Sequence, residues 1–174
     1  MDHYHAGIAV GLAAGIVAGL IFVAFLFKKK VLDCHFDERQ ELARGKAFQY
    51  GFFTLLISDY VYALSDMILG RWCDVLTGIT ICLAVSLCVF ATTCILKDAY
   101  LSLREKPRVV MTMFALLTLI NLGFGGAHAV SGDLIEDGVL TFRAVNPIIG
   151  VATLVILIVY IVNHLLCSRG EEEE

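Results

Sequence analysis

Residues 47–69 read AFQYGFFTLLISDYVYALSDMIL. Apolar and aromatic side chains fall on every face of a helix drawn through this stretch, unlike the one-sided stripe of a soluble surface helix. A helix needs about 20 such residues to cross a bilayer core, and this run is long enough. Two aspartates interrupt it, Asp59 and Asp66, seven positions apart and therefore on one helix face. Four further runs qualify as spans, over residues 6–27, 75–96, 109–130 and 145–167. Pro147 falls in the first turn of the last run, where a proline marks a helix start and not a break. The expected fold class is all-α, a single domain over residues 1–174 built as an integral membrane bundle of five transmembrane helices.

Composition supports the same class. The chain has 174 residues, of which 59% are hydrophobic and only 17% charged, whereas a soluble domain carries about 25% charged residues. Thirteen Lys+Arg against 17 Asp+Glu leave no basic excess, which excludes nucleic acid as a partner. Six cysteines form no CxxC pair, and Cys82, Cys88 and Cys94 lie within one apolar run. They read as small core hydrophobes. Cys73, in a short polar connection, is the one expected to meet an oxidant.

Charge placement sets the orientation. The first run is preceded by Met-Asp-His-Tyr-His and followed by Lys28, Lys29 and Lys30, the reverse of a secretory signal. With the N-terminus outside, inner segments hold those three lysines, Arg39, Arg44, Lys46, Lys97, Arg104, Lys106, Arg108 and Arg169, and outer ones only Arg71 and Arg143. Such a bias is the positive-inside pattern, and it puts the C-terminus in the cytoplasm.

Three features carry candidate function. Gly7, Gly11, Gly15 and Gly19 recur every fourth residue and form a face for close helix packing, within the chain or in a homo-oligomer. In residues 47–69, Ser58, Asp59, Tyr62, Ser65 and Asp66 form a polar stripe. Asn121 and His128 lie at matching depths in the run 109–130, so the pairs Asp59/Asn121 and Asp66/His128 are expected to face each other as two polar rungs. A carboxylate at that depth costs roughly 2.5–3.5 kcal/mol on insertion scales and needs a shielded partner. The stripe reads as an interhelical clamp, or alternatively as a relay of a small proton- or ion-linked transporter. An offset of 62 residues aligns Lys46, Asp59, Asp66 and Gly70 with Arg108, Asn121, His128 and Gly132, a faint sign of two duplicated hairpins.

The third feature is the cytoplasmic stub. Asp37 followed by Gln40 is a capping-box pattern, so a helix is expected to start there and run unbroken into the span, with Glu41 and Arg44 as neighbours one turn apart. Asp37, Glu38, Arg39, Glu41 and Arg44 make a docking handle for a protein partner, or a surface for membrane lipid headgroups. The stretch 36–53, FDERQELARGKAFQYGFF, resembles the acidic-basic stub of small, functionally uncharacterised multi-pass membrane proteins of bacteria. That resemblance implies a bacterial inner (plasma) membrane location and no reaction.

Elsewhere, Asp133, Glu136 and Asp137 read as a solvated acidic loop, and Gly123, Gly125 and Gly126 as a loosened or closely packed helix segment. No P-loop, dinucleotide fingerprint, nucleophile elbow or HExxH occurs in the sequence, so no catalytic residue, cofactor or metal site is expected. The functional expectation is a noncatalytic interaction or regulatory subunit.

Overall fold

A computed structural model describes residues 36–101 and 107–171, with backbone alone over 167–171. It also describes Ala14, Val17, Ala18, Leu20, Ile21 and Ala24, all helical, in agreement with a helix over 6–27. Gly7, Gly11, Gly15 and Gly19 lie outside the described residues. The chain divides into two compact units, Met1–His35 and Phe36–Glu174, and the second holds the helical bundle.

Its elements are α1 (Glu38–Leu69), α2 (Val75–Leu96), α3 (Pro107–Ser131), the two-residue strands β1 (Ile135–Glu136) and β2 (Val139–Leu140), a 3-10 turn (Phe142–Ala144) and α4 (Val145–Glu171). The four long helices are each apolar and long enough to cross a membrane. α1 begins where the capping pattern predicts: Gln40 N donates to Asp37 Oδ1 (2.7 Å) and Asp37 N to Gln40 Oε1 (3.3 Å), which satisfies two orphan amides of the first turn.

α1 packs on α2, α2 on α4, and α4 on α3. Two hairpins therefore meet through their second helices. A duplicated pair would give this arrangement, although their connections differ, five residues on one side and a hairpin with a 3-10 turn on the other. The core at one end joins Ala91 and Ile95 of α2 to Ile156 of α4, with Phe114 of α3 against them. The α3–α4 crossing is close. A β-carbon at Gly125 would stand 2.6 Å from Pro147 Cβ, and one at Gly150 would stand 2.8 Å from Leu122 Cδ2. Thr118 Oγ1 donates to Thr153 Oγ1 (2.9 Å) beside this contact. Of the three glycines read as a loosened segment, Gly125 alone is packed; Gly123 and Gly126 face open space.

The connection after α3 is built, not simply solvated. Asp137 (φ 52°) and Gly138 (φ 79°) form the two-residue turn of a β-hairpin, the geometry that an Asp-Gly pair favours. The hairpin reaches across to the α1–α2 connection: Leu140 N donates to Trp72 O (2.9 Å) and Asp74 N to Leu140 O (2.8 Å). Cys73 is thereby buried, 1% exposed, which corrects the expectation that it meets oxidants. Among the described residues Cys73, Cys82, Cys88 and Cys94 are free thiols.

Candidate functional site

The polar stripe forms on α1, but its partners differ from those expected. Because α1 packs on α2 and α3 on α4, the two polar rungs between α1 and α3 do not form. Asn121 Nδ2 donates instead to Leu117 O of its own helix (2.8 Å). His128 Nδ1 lies 3.1 Å from Asp133 Oδ1. Depth matching places two residues along the membrane normal only. It carries no information about which helices are neighbours.

The stripe faces α2 and the connection leading into it. Ser58 and Asp59 interact with the Cys82 thiol, and Tyr62 lies beside Cys73 and Asp66. The Tyr62 ring covers Gly78, where any β-carbon would overlap it, and meets the Trp72 ring edge-on at 5.9 Å. Trp72 Nε1 donates to Ser65 Oγ (2.9 Å), so the indole locks the C-terminal end of the stripe. Ser58 and Ser65 also donate back to Leu55 O and Tyr62 O of their own helix. Asp66 is half-buried. Asp59 is exposed, and Ile57, Tyr60 and Val61, on other faces of the helix, are exposed as well. None of the most apolar 18-residue window of α1 is buried, against 28% for α2. The sequence reading missed Cys82, Gly78 and Trp72 as the partners of the stripe. The pairing of Gly78 with an aromatic was a usable signal, since a glycine lets a ring close on the backbone.

At the opposite end the stub is partly spent on the fold itself. Arg44, expected to pair with Glu41, instead reaches the α2–α3 connection. Its guanidinium donates to Ala99 O (3.0 Å) and Tyr100 O (3.4 Å) and lies 4.1 Å above the Phe36 ring centroid. Gln40 Nε2 donates to Asp98 O (2.8 Å). Asp37 is engaged in the cap, so Glu38, Arg39 and Glu41 are the docking candidates left exposed.

The acidic segment after α3 forms ion pairs within the chain. Arg143 lies 2.8 Å from Asp133 Oδ2 and 3.5 Å from Glu136 Oε1, and Asp133 also meets His128. Asp74 accepts from Arg71 and from Phe142 N. These groups tie α3, the hairpin, the 3-10 turn and the α1–α2 connection into one cap. Among the described residues no group of three metal-ligating side chains occurs. Neither a protein-family model nor a curated protein nor a solved structure matches the chain.

Proposed function

We propose that the protein is a noncatalytic subunit of the bacterial inner membrane that holds another membrane helix against α1. Its topology in this reading has five spans, an outer N-terminus and a cytoplasmic C-terminus. The observation that carries the reading is Asp59, exposed at mid-span at the edge of the α1–α2 contact, with the Cys82 thiol as its partner among the described residues. A thiol is a weak donor, so most of that carboxylate's hydrogen-bonding capacity is unmet against acyl chains, at a penalty of up to roughly 2.5–3.5 kcal/mol. A partner helix offering a donor at that depth removes it. The partner is a second membrane protein or another copy of this chain, with membrane lipids around the remaining surface. The transporter alternative loses the facing rungs that motivated it, because Asn121 and His128 are satisfied on their own side of the bundle.

Photo-crosslinking from Tyr60, one residue beyond Asp59 and 68% exposed, tests the reading in native membranes. Benzoylphenylalanine at Tyr60 is expected to give one defined adduct, lost when Asp59→Leu is added. Lipid-only labelling in the native host would sink the proposal.

A further inference from the structure

The segment leaving α2 ends that helix on an aspartate where backbone geometry favours glycine. Ala99 N donates to Cys94 O (2.8 Å) and Asp98 N to Ile95 O (3.1 Å). This is the Schellman pattern, with Asp98 in the left-handed position at φ 51°. A β-carbon there is disfavoured, and glycine is the usual solution. The loop is held firmly in place, since Gln40 and Arg44 of α1 donate to the carbonyls of Asp98, Ala99 and Tyr100. Aspartate is among the few side chains that tolerate this position, and the clamped loop fixes where its carboxylate is anchored.

Asp98 lines a pocket of about 200 Å³ together with Tyr100, Leu101, Tyr160, Asn163 and His164. Asn163 donates its amide to Ile95 O (3.3 Å), which leaves Oδ1 as its acceptor. The carboxylate, this amide oxygen and the negative end of α2 all favour a cation, and tyrosine rings add to that preference. Lys97, the residue before Asp98, is exposed and puts the opposite sign one position away in the chain, outside the pocket lining. A group with an ammonium and a phosphate close together matches both signs better than a polyamine does. Size agrees: the volume is below the roughly 300–1,000 Å³ of drug-sized ligand sites, yet ample for a headgroup. Depth agrees too, because the pocket lies where α2 ends at Leu96 and the apolar part of α4 ends at Leu166, the level of lipid headgroups.

We propose that this pocket binds a phosphoethanolamine group, with the primary ammonium on Asp98 and Asn163. Phosphatidylethanolamine and soluble O-phosphoethanolamine share that chemistry. The test uses the full chain in nanodiscs of phosphatidylcholine, with and without phosphatidylethanolamine, followed by thermal unfolding. Phosphatidylethanolamine is expected to raise Tm by about 2–4 °C, a shift of the size that modest ligand binding gives a domain of this length. Asp98→Asn, which keeps a residue tolerant of the left-handed conformation, is expected to unfold like the wild type in phosphatidylcholine and to lose the increment. O-phosphoethanolamine added to phosphatidylcholine discs separates the sources: a matching shift assigns the site to the group in either form, and no shift alongside the lipid effect assigns it to the membrane lipid. Equal Tm values under all conditions, or an increment that survives in Asp98→Asn, would overturn the proposal. Native mass spectrometry of the wild type gives a second readout independent of the variant's folding. Preferential retention of phosphatidylethanolamine supports the site, and equal retention of both lipids contradicts it.

Discussion

Thr77 is fully buried near the start of α2, and its hydroxyl donates to Thr141 O at 2.9 Å. That bond fastens the second connection onto the first hairpin. Ala144 N also donates to Thr141 O, so removing the hydroxyl leaves the carbonyl with one partner. Thr77→Val is therefore expected to cost about 1 kcal/mol, the net worth of one hydrogen bond, read as a lower denaturation midpoint in detergent; Thr77→Ser should retain most of it. Residues differ in how far they were legible from sequence. Asp37 and Gln40 were, because a capping box is decided by side chains three positions apart. The partners of Asp59 and Asp66 were not. Reach along the helix is fixed by sequence, but the direction of a neighbour is fixed by tertiary packing, and a helix apolar on all faces gives no hint of which face turns inward.

Elements were easier to read than contacts. The expected span 75–96 coincides with α2, and 109–130 lies within α3, since length and hydropathy act locally. The hairpin was missed although Ile135-Glu136-Asp137-Gly138-Val139-Leu140 carries the Asp-Gly turn between two short apolar-containing segments; three acidic residues drew the reading toward a solvated loop. The α3–α4 crossing yields a prediction that a general effect of glycine on helices cannot mimic. Gly125→Ala pushes a β-carbon against the rigid Pro147 ring and is expected to destabilise by about 1–3 kcal/mol. Gly123→Ala and Gly126→Ala meet open space and should stabilise by roughly 0.5–1 kcal/mol through helix propensity. Thermal unfolding of the three variants side by side checks this, and three equal shifts would refute the crossing.

At the scale of the molecule, both ends of the described bundle are closed by polar contacts, while the long flank of α1 is open. The hairpin and Trp72 close one end, and Gln40 and Arg44 close the other. The charge pattern predicts that the hairpin end is outside. In a chain whose six cysteines are replaced by serine or alanine, Asp137→Cys should react with an impermeant maleimide on intact cells. Glu38→Cys should react only after permeabilisation, and the opposite result would reverse the topology. The membrane class was legible because composition is a property of the whole chain. The order α1, α2, α4, α3 was not, because it depends on which helices find each other in lipid.

The most direct measurement of the central claim is the mass of the assembly extracted from its native membrane in mild detergent. The wild type is predicted to carry a second polypeptide, of this chain or another, and Asp59→Leu to run as a folded monomer. A monomeric wild type, or an assembly indifferent to Asp59, would contradict the account.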